Sequence, residues 1–114
     1  VTPTERRRAD RVIYAGLGRP PREGETPTVV VEFVSAGKRS LLRDYEEKRD
    51  EYLALGVREY WIIDRFARCL TVYRRADTGC SKLVVGEGDV YTTPLLPGFE
   101  LPLDRLLGRA DLWA

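Results

Sequence analysis

The sequence predicts a mixed α/β (α+β) fold, in which one main helix packs on a mixed β-sheet. The β-branched run at residues 28–34 is typical of a strand covered on both faces. A stretch of good helix formers follows at 41–55, and an apolar strand follows at 59–64. A strand, a helix and a strand in this order favour a crossover unit with a parallel strand pair.

The other elements are shorter and complete one domain spanning residues 1–114. Residues 1–9 carry three arginines and are predicted to be a partly ordered arm, either solvated or in contact with phosphate. Glycine and proline mark a loop at 16–27. The remaining predictions are a strand at 10–15, a hairpin of 68–75 with 81–86, a short strand at 90–92 and a final helix at 103–107.

Composition excludes several classes of catalyst. The chain contains no histidine, which removes Ser-His-Asp and Cys-His catalysis and every His-ligated zinc site. Its two cysteines, Cys69 and Cys80, flank the predicted hairpin unevenly and are expected to be unpaired thiols. Carboxylates, lysines, arginines and hydroxyls remain for chemistry, and carboxylates prefer hard ions such as magnesium or manganese.

The overall charge and hydropathy are those of an ordinary globular domain. The net charge of +1 does not by itself indicate a nucleic-acid-binding protein, so such a role would need local clusters of charge. No segment is apolar enough to span a membrane or resembles a signal peptide, and we therefore expect a cytoplasmic protein.

Glu32 is the first charged residue that breaks an apolar pattern. It lies between Val31 and Phe33 in the most hydrophobic strand, and alternation places it on the same face as Val30 and Val34. If that face is covered, the carboxylate must be protonated, paired with a cation or bound to a metal. The alternative is a position at the open end of the strand, where the carboxylate is simply hydrated.

Lys48 is the second such residue. Leu41, Tyr45, Tyr52 and Leu55 form the inward stripe of the predicted helix, and Lys48 occupies the remaining position on that stripe. Its ammonium group is therefore aimed at the sheet, unless the side chain extends past the apolar surface to reach water. Asp44 precedes it by four residues, a spacing at which the two side chains can interact.

Glu32 and Lys48 belong to consecutive elements and are predicted to be neighbours. A structural ion pair would satisfy both charges, and so would a site that holds a metal ion and a phosphate. Asp10 opens the first predicted strand, although an aspartate at such a position is common. Together the three residues would bring two carboxylates and a lysine to one end of the sheet.

This arrangement resembles the PD-(D/E)XK, or restriction-endonuclease-like, superfamily, and is most similar to its Uma family of bacterial restriction endonucleases. Together the similar stretches cover over half of the chain, and their order makes the resemblance fairly specific. They are residues 28–35, residues 44–49 with Tyr52, residues 56–64, residues 88–90 and residues 94–99.

The resemblance implies a magnesium- or manganese-dependent endonuclease that acts on nucleic acid, most naturally DNA. It implies metal binding by Asp10, Glu32 and the backbone carbonyl of Phe33. The lysine of the motif would fall at Val34, and the resemblance implies that Lys48 on the helix replaces it. Lys48 would then act on the attacking water, with Asp44 holding it in place.

Two features depart from the family pattern. Ala9 precedes Asp10 where the family usually has proline, and the N-terminal region found in family members is largely missing, so we expect a shortened form. A sheet edge left exposed by that shortening would favour a homodimer.

Basic residues near the start of the helix are candidates for contacts with backbone phosphates, although a solvated basic edge is the alternative. These residues are Lys38, Arg39 and Arg43. Two other functions stay open. One is a catalytically inactive nucleic-acid-binding or assembly module of the same fold. The other is a structural protein in which Glu32 and Lys48 form only a buried salt bridge.

Overall fold

The computed structural model describes residues 11–16, 19–22, 24–34 and 42–113, with 42–44 and 110–113 described only as helix backbone. The elements follow one another as β1 (Arg11–Ile13), β2 (Val29–Phe33), α1 (Leu42–Leu55), β3 (Glu59–Asp64), β4 (Cys69–Arg75), β5 (Cys80–Gly86), β6 (Val90–Tyr91), β7 (Leu101–Pro102) and α2 (Leu103–Trp113).

The main sheet has the order β1-β2-β3-β4-β5. Strands β2 and β3 pair in parallel, with Glu32 opposite Ile62, and α1 makes the crossover between them. The other neighbouring pairs, β1–β2, β3–β4 and β4–β5, are antiparallel. The predicted α+β class, with a mixed sheet and a crossover unit, is confirmed.

The sheet is covered on both faces. Helix α1 packs on one face over a cluster that includes Val30, Tyr52 and Tyr60. The other face carries a cluster that includes Trp61 and Leu70, and it is covered by α2 and the segment that precedes it. Burial on both faces explains why β2 is an almost continuous apolar run.

Helix α1 ends in a glycine turn. Gly56 adopts φ +105°, and the N–H of Val57 donates to the carbonyl of Tyr52 at 3.1 Å. This bonding satisfies the last carbonyls of the helix, as glycine-terminated helices commonly do. The prediction that Leu55 faces the core is wrong, because 51% of it is exposed. The chain reverses immediately after Leu55, and Val57 takes the buried position instead.

Two features of the C-terminal half refine the predictions. Helix α2 continues to Trp113 rather than ending at Leu107, so Gly108 lies inside it. On the β4–β5 ladder Cys69 is opposite Gly86, whereas Cys80 is opposite Arg75. The two free thiols therefore lie at opposite ends of the hairpin, where they cannot form a disulfide with each other.

Candidate active site

Strand β2 directs Glu32 towards α1. Val30 and Val34, two residues to either side, belong to the cluster beneath α1, and Glu32 shares their face by alternation. Only 5% of Glu32 is exposed. The alternative of a hydrated carboxylate at the open end of the strand is therefore wrong.

Helix α1 directs Lys48 towards the same face of the sheet. Tyr45 and Tyr52 lie one turn before and one turn after it, and both are buried. Lys48 itself is 7% exposed, and its ammonium nitrogen lies 5.5 Å from the centre of the Tyr45 ring. This distance is within reach of a cation–π contact. The side chain thus follows the apolar stripe inwards and does not extend into water.

Glu32 and Lys48 meet in an ion pair beneath the helix. The Nζ of Lys48 donates to Oε1 of Glu32 at 2.8 Å. The second carboxylate oxygen, Oε2, has the Tyr52 hydroxyl at 3.5 Å, which is too long for a strong hydrogen bond. One oxygen of a buried carboxylate is therefore firmly paired, whereas the other is held weakly.

Such a pair is costly to break. Removing one charge of a buried pair typically destabilises a protein by about 3–5 kcal/mol, because the remaining charge is left without compensation. Replacing both charges by apolar groups is often neutral. Stability alone therefore does not explain why the strand and the helix carry opposite charges at this position.

The donor set at Glu32 suits a divalent cation but is incomplete within the described residues. A carboxylate oxygen with one weak partner is a suitable ligand for magnesium or manganese. The described part of the chain contains no group of three or more acidic or thiol side chains that could enclose a metal. Phe33 follows Glu32 in β2, so its backbone adjoins the carboxylate. A second acid would have to come from elsewhere, and Asp10 lies outside the described residues.

The structure describes the other predicted site residues only in part. Lys38 and Arg39 lie outside the described residues. Arg43 and Asp44 lie in the first turn of α1, where the structure describes the backbone alone. Their predicted roles stay predictions.

A cavity of about 150 Å³ lies on the same face of the sheet as the ion pair. It reaches Ile62, the cross-strand neighbour of Glu32, and Tyr45, whose ring faces Lys48. Lys82 contributes a cation to its lining. The full lining is Val34, Tyr45, Glu46, Ile62, Asp64, Thr71, Tyr73 and Lys82. Neighbours of the pair therefore line this space, whereas Glu32 and Lys48 themselves are not part of its lining.

A second buried carboxylate, Glu59, was not singled out from the sequence. It is 3% exposed and faces the opposite side of the sheet from Glu32. It accepts hydrogen bonds from Trp61 Nε1 at 2.8 Å, Tyr91 Oη at 2.6 Å and Thr93 Oγ1 at 2.5 Å. Burial, and then the bond to Glu59, raises the pKa of Tyr91 to about 12. No local signal in the sequence marks Glu59, because a charge at the start of a strand is ordinary and two of its donors, Tyr91 and Thr93, lie 32 and 34 residues later.

Comparison with known families decides how this geometry is classified. A family model described as "Uma2: Putative restriction endonuclease" matches residues 2–104. This chain belongs to the Uma2 family. The resemblance drawn from the strand, helix and strand motifs is thereby confirmed, and Glu32 and Lys48 both lie within the matched region of the Uma2 domain.

A solved structure shares the fold of this Uma2 domain. It is the crystal structure of a "putative nuclease belonging to DUF820" from Anabaena variabilis, with a TM-score of 0.61 and 17% sequence identity. The match covers 75% of this chain and 46% of the other, so the present chain spans less than half of that protein. At this identity the similarity establishes the fold and leaves the activity to be argued from the site.

The comparison with curated proteins found no match. Among the described residues, neither helix of the Uma2 domain is long and apolar enough to cross a membrane.

Proposed function

We propose that this Uma2 protein is a divalent-metal-dependent nuclease that hydrolyses phosphodiester bonds of nucleic acid, most naturally DNA. The observation that carries the proposal is the buried pair of Glu32 and Lys48, a strand carboxylate and a helix ammonium 2.8 Å apart. Membership of a family described as restriction endonucleases supports the same reading. Asp10 is proposed as the second acid.

The register of β1 on β2 supports a place for Asp10 in the site. Arg11 is opposite Val31 and Val12 is opposite Val30 in this antiparallel pair. If the same register continued by one residue beyond the described part of β1, Asp10 would be opposite Glu32. Directly opposed residues on antiparallel strands have Cβ atoms about 4.5–5.5 Å apart, a separation at which two carboxylates can share one cation.

In the proposed mechanism, Glu32 and Asp10 hold a magnesium or manganese ion, together with the backbone carbonyl of Phe33. When bound, the ion polarises the phosphate and lowers the pKa of a water molecule. Lys48 orients that water and offsets the negative charge that develops on the phosphate. Asp44 is proposed to position Lys48.

Binding of the nucleic acid requires cations around the site. We propose Lys38, Arg39 and Arg43, close to the start of α1, as contacts to backbone phosphates. Each such contact releases counterions, so affinity should fall steeply as salt rises. A homodimer is proposed as the assembly, because β1 is an edge strand of three residues with Val12 45% exposed.

The test is nicking of supercoiled plasmid with magnesium, with manganese and with excess chelator. Lys48→Met and Glu32→Gln should each lower the rate by at least about a hundredfold, the usual scale for loss of general acid–base or charge-stabilising groups. Glu100→Gln removes an exposed carboxylate from a loop and should retain the wild-type rate. Circular dichroism of each variant separates loss of activity from loss of fold.

A catalytically inactive nucleic-acid-binding or assembly module is the second candidate. The small exposure of Glu32 and Lys48, 5% and 7%, favours it, because a substrate phosphate must reach both groups. Salt-dependent binding of DNA without nicking at any divalent concentration would select this alternative. Nicking that requires a divalent ion and Lys48 would reject it.

A further inference from the structure

A second cavity, of about 320 Å³, lies at the end of the sheet where β3 begins and β4 ends. It is bordered by Glu59 at the start of β3, whereas Glu32 is level with Ile62, three residues further along that strand. Three residues of strand span about 10 Å, and Glu32 and Glu59 also lie on opposite faces. The cavity is therefore separate from the proposed nuclease site.

Cationic and apolar residues share the lining of this cavity. Its charged residues are three arginines and two acids, and Pro94 and Leu95 are apolar. The full lining is Arg58, Glu59, Arg74, Arg75, Ala76, Asp77, Pro94 and Leu95. A ligand that fits this lining has an anionic group and an organic part.

Arg74 is held rigidly at the edge of the cavity. Its Nε and Nη2 donate to the Tyr91 hydroxyl at 3.1 and 2.9 Å, and Nη2 also donates to the carbonyl of Thr92 at 3.0 Å. Its Nε lies 3.5 Å from Oε2 of the buried Glu59. The remaining nitrogen, Nη1, has no hydrogen-bond partner among the described residues. A guanidinium fixed in this way loses little conformational freedom when it binds an anion.

Arg58 adds a second cation to the lining. It is exposed, and its guanidinium makes no ion pair within the described part of the chain. Arg75 follows Arg74 in β4, so its side chain points to the opposite face, where its Nη2 donates to the carbonyl of Leu53 in α1. Its backbone N–H donates to the carbonyl of Arg58 at 2.9 Å, which links the two residues across β3 and β4. Guanidinium groups match the oxygens of phosphate in geometry and charge.

From this arrangement we infer that the cavity bordered by Arg58 and Arg74 is a binding site for a phosphate ester. The guanidinium groups take the phosphate oxygens, and the surface of Pro94 and Leu95 accepts the organic part. The Glu59 carboxylate and the Tyr91 hydroxyl hold the Arg74 guanidinium in position. Asp77, which makes no ion pair with any described residue, opposes the anion.

Isothermal titration calorimetry on the intact chain tests this inference with three probes: inorganic phosphate, adenosine 5′-monophosphate and a short oligothymidylate. Adenosine, which lacks the phosphate, is the matched negative probe. At least one phosphate probe should bind saturably and more tightly than adenosine. Tight binding of the monophosphate identifies a small ester as the ligand, whereas binding of the oligothymidylate alone identifies a nucleic-acid backbone.

Variants connect the binding to this cavity. Arg58→Gln and Arg74→Gln should each weaken it about tenfold or more, as expected for the loss of a charge-assisted hydrogen bond. Arg105→Gln removes the same charge from an exposed position of α2 and should leave affinity unchanged. Asp77→Asn should strengthen binding by ~2- to 5-fold, the scale of an exposed charge interaction.

The gain in Asp77→Asn is the most diagnostic result, because loss of fold cannot improve affinity. Thermal unfolding of each variant identifies any that lose structure. Equal affinity for adenosine and its monophosphate would overturn the inference, and so would the absence of saturable binding by every phosphate probe. Equal weakening in Arg105→Gln and Arg58→Gln would also overturn it, because binding would then follow net charge alone.

Discussion

The buried ion pair makes a quantitative prediction about stability. Lys48→Met leaves the Glu32 carboxylate beneath α1 without its cation, and Glu32→Leu removes the carboxylate that the Lys48 ammonium contacts at 2.8 Å. Both side chains are more than 90% buried, so water cannot replace the lost partner. Each single variant should lose about 3–5 kcal/mol, a large part of the roughly 5–15 kcal/mol that stabilises a typical domain.

The double variant Glu32→Leu with Lys48→Met should recover most of that loss. It places two apolar side chains between Val30, Tyr45 and Tyr52, where the surrounding cluster is already apolar. Two single losses of at least about 3 kcal/mol each, with a residual loss of about 1 kcal/mol in the double variant, give an interaction energy of about 5 kcal/mol or more, above the ~0.5–3 kcal/mol usual for residues in contact.

Urea unfolding followed by circular dichroism measures these differences. With an m-value of about 1.5 kcal/mol per M in urea, each single variant should lower the urea concentration at the unfolding midpoint by about 2–3 M. Glu46→Gln, on the exposed side of α1, should change stability by less than about 0.5 kcal/mol. If both single variants lower the free energy of unfolding by less than about 1 kcal/mol and their effects add in the double variant, the ion pair is not desolvated and the prediction is refuted.

Three further predictions concern other parts of the molecule. Tyr91, with its pKa raised to about 12 chiefly by burial, favours the neutral phenol in the fold. Its contribution should be complete below pH about 10 and should fall as pH rises towards 12; stability that is flat across that range would contradict this. Hydrogen bonds from the Arg19 side chain and then from the Arg22 backbone N–H lower the pKa of Glu25 to about 2, so Arg19→Gln should raise that pKa part of the way towards 4.5 in an NMR titration. An unchanged value would show that the contact is not formed. Gly56→Ala should cost about 1–2 kcal/mol in urea unfolding because of its positive φ, whereas no loss would mean that the turn relaxes.

Residues that interrupt a local pattern could be found from the sequence. Glu32 stands in an apolar strand and Lys48 in an apolar helical stripe, and the consecutive order of the two elements placed them together. The parallel pairing of β2 with β3 followed from the same order. These features depend on periodicity, which short segments of sequence display directly.

Residues whose environment comes from distant parts of the chain could not be found in this way. Glu59 opens a strand, where a charge is ordinary, and its donors Tyr91 and Thr93 lie 32 and 34 residues later. Leu55 satisfied the helical period, but the reversal at Gly56 turned it outwards. Helix α2 runs past Gly108 because packing overrides the weak local preference of a single residue.

The placement of the two buried carboxylates on opposite faces restricts how β2 and β3 can align. A slip by one residue would exchange the faces of every side chain on the moving strand. If β3 slipped against β2, Glu59 would turn into the apolar layer beneath α1, away from Trp61, Tyr91 and Thr93. A misaligned pairing would therefore bury an uncompensated carboxylate among apolar side chains. The two buried acids thus disfavour the wrong register of β2 and β3 during folding.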